Sequence, residues 1–373
     1  MKKSKTSRRD FIKKSAAGAA VGTLGILGGQ TAQAGETGKN RIKIAGYAYD
    51  RVQAIKDGLV GIDQADVSFH NENIYNLNGL AFGPEKPYDV TELGLIPYVS
   101  RYINDNFRDY VLIPVFISRT FRHRNIYVRA DSGIERPEDL RGKRVGTPGY
   151  GMSASTWIRG MLHDEYGVKA NELRWIETTK SSDKGKLNTG FAKYYFPDDF
   201  PLEKGPPGVD ESELLLSGSC DALITAITPK AWADGNPDIR RLFADTKTAE
   251  QQYFKKTGLF PIMHVVAVRK DAAKEKPWLP AAAFKMYSEA KQIAYDNLAT
   301  TTVLRTTLPW AMDEYEATVK LMGDDYWRYG IKANEKELEH VMRYTHEQGL
   351  VKHRLKFEEL FHPSTLNLEE NMV

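Results

Sequence analysis

Residues 126–140, IYVRADSGIERPEDL, and residues 265–279, VVAVRKDAAKEKPWL, are written to one plan. Each begins as a β-branched, apolar run ending in Val-Arg-x-Asp. Each then passes through a charged linker to a proline suited to the first turn of a helix. Elsewhere short apolar runs alternate with helical patterns, which is the signature of an α/β protein. The repeated passage predicts a hinged, two-lobed α/β fold whose two echoed strands cross between lobes. Lobe one is expected from 36–125 and 265–373, lobe two from 135–260, and the hinge crossovers within 126–134 and 261–269.

Working outward, Arg41–Tyr47 and Asp66–His70 read as strands. Tyr88–Leu95 begins as a strand and leads into a helix over Ile96–Ile103. Val111–Ile117 reads as a central strand or strand pair. Arg144–Thr147 is a strand, Pro148–Gly151 a turn, and Ser153–Tyr166 has helical periodicity. A strand, a glycine-rich turn and a Ser-x-Ser helix start make a pattern suited to binding an anion at a helix N-terminus. Residues 179–210 are rich in Gly, Pro and charge and read as a long surface excursion with aromatic anchors.

The N-terminus is set apart from the fold. Ser7-Arg8-Arg9-Asp10-Phe11-Ile12-Lys13 is a twin-arginine export pattern, followed by a Gly/Ala-rich apolar segment and Ala32-Gln33-Ala34. Cleavage is expected after Ala34, with the twin-arginine translocase as partner and the periplasm as destination. Residues 1–34 hold seven Lys/Arg and one Asp. The remainder therefore has 45 basic and 48 acidic residues, a net charge of −3 against +3 for the whole chain. Such a balance excludes a global nucleic-acid surface. One cysteine, Cys220, allows no internal disulfide and reads as a small buried hydrophobe.

Four passages carry a resemblance. They are LIPVFISRTFRHRNIYVRADSGIERPEDLRGKRVGTPGYGMSASTWIRGMLHDEYGV (112–168), TGLFPIMHVVAVR (257–269), LMGDDYWRYGIKAN (321–334) and EQGLVKHRLKFEELFHPST (347–365). Together they resemble the 4,5-dihydroxyphthalate decarboxylase family, over nearly all of the chain beyond residue 34. The resemblance implies a type II periplasmic-binding-protein-like fold with a ligand cleft between lobes. Solute receptors of ABC importers share that fold, so fold alone does not choose between an enzyme and a receptor.

Arg119, Arg122 and His123 stand in the basic run SRTFRHRNIYVR (118–129). Arginine offers a planar fork matching a carboxylate, and a dicarboxylate needs more than one anchor. The same charges would also suit a solvated strand edge. Glu92 follows a strand where a cleft would open, and is a candidate proton relay or a first-turn acid. Asp50 and Arg51 hold a similar place after the first strand. Ser153 and Ser155 are candidate ligand hydroxyls or plain helix caps. His264, alone in PIMHVVAV, is a candidate base or a structural histidine.

There is no H-E-x-x-H, Cys-x-x-Cys, G-x-G-x-x-G or Walker loop, so no metal and no organic cofactor is expected. Two functions stand. One is a decarboxylase of a hydroxylated aromatic carboxylate, with His123, Glu92 and His264 as the acid–base set. Arg119, Arg122, Ser153, Ser155, Asp50 and Arg51 would bind the substrate. The other is an exported receptor handing a small aromatic carboxylate to an ABC permease.

Overall fold

A computed structural model of the protein describes residues 40–182, 185, 186 and 193–370. The export segment lies outside them. The first part of the chain alternates strand and helix: β1 (Asn40–Gly46), α1 (Asp50–Lys56), β2 (Ala65–Asn71), α2 (Ile74–Phe82), β3 (Val90–Gly94), α3 (Leu95–Asn104) and β4 (Tyr110–Arg119). A second series follows with β5 (Ile126–Arg129), β6 (Arg144–Thr147), α4 (Ser153–Tyr166), β7 (Arg174–Glu177), the short strands β8 (Lys180–Ser181) and β9 (Gly185–Lys186), and β10 (Leu202–Lys204). It continues through α5 (Glu211–Leu216), β11 (Ala222–Ile224), α6 (Lys230–Ala233), β12 (Ile239–Arg241) and α7 (Thr246–Thr257). β13 (Ile262–Arg269) then leads into α8 (Lys270–Glu275), α9 (Leu279–Ala299), α10 (Ala311–Met322) and α11 (Glu335–Glu347).

The strands build two main sheets, ordered β2-β1-β3-β13-β4 and β10-β7-β6-β11-β5-β12. In the first, β1 is parallel to β2 and β3, while β13 runs antiparallel to β3 and β4. In the second, β10, β7, β6 and β11 are parallel, and β5 runs antiparallel to β11 and β12. The echoed strands β5 and β13 thus hold equivalent places, each the antiparallel strand beside a parallel set. They belong to different sheets and do not pair with each other. The chain passes between sheets just ahead of each one, over 120–125 and again over 242–261.

β4 differs from the expected central strand. It is the edge of its sheet, as suits Pro114, which has no N–H to give a neighbour. Its free side is covered by the C-terminal segment. Gly330 N–H donates to Pro114 O (2.8 Å) and His362 N–H to Leu112 O (2.8 Å).

One apolar cluster joins the two sheets, including Ile44, Val90 and Val266 of the first and Val128, Val145 and Ile224 of the second. α4 is the buried link, with all of Ser153–Leu162 inside. The Trp157 indole donates to Ile262 O (2.9 Å), tying a helix of the second series to a strand of the first sheet. Cys220 is fully buried, and burial pushes its thiol up to about 12. Among the described residues no helix is long and apolar enough to cross a membrane.

At Gly160, α4 meets α11 so closely that an added Cβ would lie 2.3 Å from the Tyr344 ring. Gly160→Ala should therefore destabilise the protein by about 1–3 kcal/mol through overpacking, despite alanine's better helix propensity. Urea unfolding measures this, and an unchanged midpoint would refute the close approach.

Candidate functional site

β3 and β6 each end in a helix, α3 and α4 respectively, and the two helix N-termini face a common cavity of 260 Å³ between the sheets. Ligands of open α/β sheets bind at the carboxyl ends of strands for this reason: backbone N–H groups converge there. Gly94 lines it from the end of β3, Pro97 and Ser100 from α3, and Gly149, Met152 and Ser153 from the turn into α4. No side chain caps α4 at Met152. The two helices touch directly, since Ile96 N–H donates to Ser153 Oγ (3.3 Å).

His264 enters the cavity from β13. The ladder between β13 and β4 shifts register on both sides of it, so β4 bulges opposite. Bulges re-aim side chains in this way, and Pro114 sits within the irregular stretch. Nδ1 of His264 lies 2.5 Å from Glu92 Oε1. Glu92 is 1% exposed in the fully buried strand β3. Its other bonds come from Tyr49 O–H to Oε1 (2.8 Å) and Tyr47 N–H to Oε2 (2.9 Å). An ionised carboxylate only accepts, so Nδ1 carries the proton and Nε2 is left for the cavity. Tyr47 stacks on the imidazole at 6.2 Å. Burial, together with the Glu92 charge, raises the Tyr49 phenol well above its ordinary value and keeps it a donor. A Cβ at Gly46 would come 3.0 Å from Glu92 Oε2, so a side chain there would press on this pair.

Arg122 also lines the cavity. Its contacts are the Met263 sulfur (3.3 Å), Asn125 Oδ1 (3.3 Å) and Ala226 O (3.4 Å). Among the described residues it forms no ion pair, although the Glu250 charge favours its charged form from a distance. Burial lowers it to about 10, still charged at neutral pH. A cation and a helix N-terminus without a side-chain cap that line one cavity suit an anion.

A further wall comes from Glu177, at the end of β7, and Tyr194, in the excursion after β9. Glu177 Oε1 accepts from Tyr150 N–H (2.9 Å) and Tyr194 O–H (2.8 Å), and Oε2 pairs with Lys204 Nζ (2.6 Å). Gly151 N–H donates to Tyr194 Oη (3.2 Å). Sequence reasoning missed both residues. The aromatic anchors of 179–210 were the available signal, and Tyr194, Phe196 and Phe200 do pack around Tyr150.

The structure brings together His264, Glu92, Arg122 and Ser153, and places the other candidates elsewhere. His123 is wedged between Phe243 and Tyr253, 2% exposed, and does not line the cavity. The chain turns into a single 3₁₀ turn at His123, between β4 and β5. Arg119 points the other way. It is buried against Glu337 (3.4 Å), the carbonyls of Phe260 and Arg328, and Asn334. Ser155 is buried against Thr147 Oγ1 (3.4 Å). Asp50 is exposed, and Arg51 donates to Ile117 O (2.7 Å) while lying over the Tyr49 and Trp327 rings. Glu92 reaches the cavity only through His264. Among the described residues no group of three or more His, Cys, Asp or Glu is placed to hold a metal ion.

Burial pushes His123 down to about 4 from 6.5, so the folded protein holds it neutral. Between those values the unfolded chain binds the extra proton, and stability falls as pH falls. The loss between pH 7 and pH 5 should be about 2 kcal/mol, and His123→Phe should abolish it. Urea titrations at the two pH values test this. Equal losses in both proteins would refute it.

Residues 117–196 match a family described as NMT1/THI5 like. Over 328 residues, 88% of this chain and 98% of the relative, the sequence is 36% identical to 4,5-dihydroxyphthalate decarboxylase of Comamonas testosteroni. It is 33% identical over 217 residues, 58% of this chain and 82% of the relative, to the protein of the same name from Pseudomonas putida. Among solved structures, one described as the periplasmic sulfonate-binding protein of a sulfonate ABC transporter from Methylobacillus flagellatus superposes with a TM-score of 0.52 at 12% identity. That match covers 88% of this chain and 92% of the other. At that identity the likeness concerns the fold alone: two α/β sheets in the manner of periplasmic binding proteins. By the extent and identity of its match to the Comamonas protein, the chain belongs to the 4,5-dihydroxyphthalate decarboxylase family.

Proposed function

We propose that the protein removes one carboxylate as CO2 from a hydroxylated aromatic dicarboxylate such as 4,5-dihydroxyphthalate, bound in the cavity between the sheets. The observation that carries this is the convergence of three things on one cavity: a histidine backed by a buried carboxylate, an arginine that forms no direct ion pair among the described residues, and an uncapped helix N-terminus. Cavities of this order hold one small ring. Identity of 36% to a decarboxylase of that substrate supports the same reading.

The carboxylate that stays is held by Arg122 and the first N–H groups of α4. The hydroxyl para to the leaving carboxylate, partly ionised, feeds electron density into the ring. His264, as imidazolium, gives its Nε2 proton to the ring carbon bearing the leaving group. The bond from that carbon to the carboxylate then breaks, its electron pair returns to the ring, and CO2 departs. The product is 3,4-dihydroxybenzoate, and His264 recovers a proton from solvent. Glu92 stabilises the imidazolium and fixes its orientation without touching substrate. This assignment gives His264 the proton-donor role for which His123 and Glu92 were the sequence candidates, because neither of those lines the cavity. The scheme calls on no cofactor. Closure of lobe one (36–125 and 265–373) on lobe two (135–260) would exclude water and strengthen each contact.

Export through the twin-arginine route, with removal of 1–34, belongs to the same proposal. It rests on Ser7–Lys13 and Ala32–Ala34 in the sequence. Export and fold also favour a receptor that passes a carboxylate to a permease, and turnover separates the two readings.

Purified protein incubated with 4,5-dihydroxyphthalate should release one CO2 per product formed. Ligand-induced thermal stabilisation with no CO2 would sink the decarboxylase and leave the receptor. Arg122→Met should weaken binding by roughly 10- to 100-fold, the loss of a charged hydrogen-bonding anchor. His264→Asn should lower kcat by roughly 100- to 10,000-fold with little change in binding. Glu92→Gln should lower kcat by about 100-fold while KM holds, since it acts through His264.

A further inference from the structure

We propose that Glu177 and Tyr194 form the part of the cavity that selects ring hydroxyls, so that the site takes hydroxylated aromatic carboxylates over their unsubstituted analogues. The inference rests on the ligand class given above and adds how the site recognises it.

Hydrogen-bond accounting carries the argument. Arg122 and the first turn of α4 present donors, which suit carboxylate oxygens and repel no anion. Glu177 is, among the described residues that line the cavity, the one carboxylate. Its Oε1 is taken by two donors, but Oε2 has Lys204 Nζ alone. Tyr194 has spent its hydrogen on Glu177, and its oxygen accepts from Gly151 N–H with a lone pair to spare. Burial and the neighbouring Glu177 charge raise the Tyr194 phenol, so it stays a donor to Glu177 and not to a ligand. What this wall offers a ligand is therefore lone pairs. A phenolic O–H can satisfy them, and a carboxylate cannot.

The wall is built in advance. Tyr195 N–H donates to Gly349 O (2.6 Å), which pins the backbone beside Tyr194. Gly349 has φ 68°, and a Cβ there would lie 2.5 Å from Phe196. Phe196 in turn stacks on Phe200 at 4.0 Å. Lys204, 68% exposed, balances Glu177 from the solvent side. A ring with carboxylates on one edge and hydroxyls on another matches both sets of groups at once.

The test measures dissociation constants by calorimetry for phthalate and 4,5-dihydroxyphthalate, on the wild type, Tyr194→Phe and Glu177→Gln. The wild type should bind the dihydroxy compound roughly 10- to 100-fold more tightly. Each variant should cut that ratio about tenfold while its affinity for phthalate is unchanged. Tyr194→Phe keeps the ring packing, and a thermal melt checks that both variants fold. A wild type that binds the two equally, or binds neither, overturns the proposal. So does a variant that weakens both ligands alike, which would mark a structural role only. Discrimination without CO2 release would leave this inference standing and remove the decarboxylation. CO2 release with the same ligand ratio in wild type and variants would do the reverse.

Discussion

A carboxylate sits in the middle of an all-buried strand, and much of the architecture exists to satisfy it. Glu92 in β3 would cost several kcal/mol if left unpaired in a low-dielectric interior. Its partners come from three different segments: the end of β1 (Tyr47 N–H), the start of α1 (Tyr49 O–H) and β13 (His264). Those bonds fix how the strands of the first sheet end at the cavity, and a side chain at 46 would press on them. The same burial that makes the carboxylate expensive makes it useful. Little water competes for it, so it holds His264 in one tautomer and one orientation.

A second buried charge plays the corresponding part on the other wall. Arg159 is 2% exposed and, among the described residues, forms no ion pair. Its guanidinium lies 3.6 Å from the Tyr150 ring centroid and donates to Tyr150 O (2.7 Å) and Gln348 Oε1 (2.7 Å). A cation–π contact and neutral acceptors stabilise it, and the Glu177 charge favours it without a direct ion pair. The turn 148–152, which lines the cavity, is thereby held from behind. The second sheet thus meets the first with a loop held by hydrogen bonds to Arg159 and Glu177, and these bonds position the start of α4.

The functional picture follows from how these walls differ. One presents an imidazole with its charge partner concealed, the other a helix end and a tyrosine bonded to a carboxylate, with Arg122 at the passage between sheets. A cavity with separate donor and acceptor regions orients a ring bearing two kinds of substituent. Orientation is what a decarboxylation needs, because the proton must reach one particular ring carbon.

Several elements were legible in the sequence by local signals. β6 and α4 fall where the pattern placed them, and the turn between them was marked by Pro148, Gly149 and Gly151. Ser153 was legible as a candidate at a helix start, Glu92 and His264 as lone titratable residues in apolar runs, and Arg122 as part of a basic run; Glu92 lies in the middle of β3 and not after it. The sequence could not separate Arg122 from Arg119 or His123. All three share one basic run, and the 3₁₀ turn at His123 rotates its side chain away from the cleft. Nor could it find Glu177 or Tyr194, whose partners Tyr150 and Gly151 lie elsewhere in the chain. By itself, then, the sequence determined the strand and helix elements, the α/β class and the repeated plan of 126–140 and 265–279, because periodicity and turn residues act over a few positions. The tertiary structure decided which polar groups face the cavity, because the Glu92–His264 bond spans 172 residues and no local pattern encodes a contact of that range.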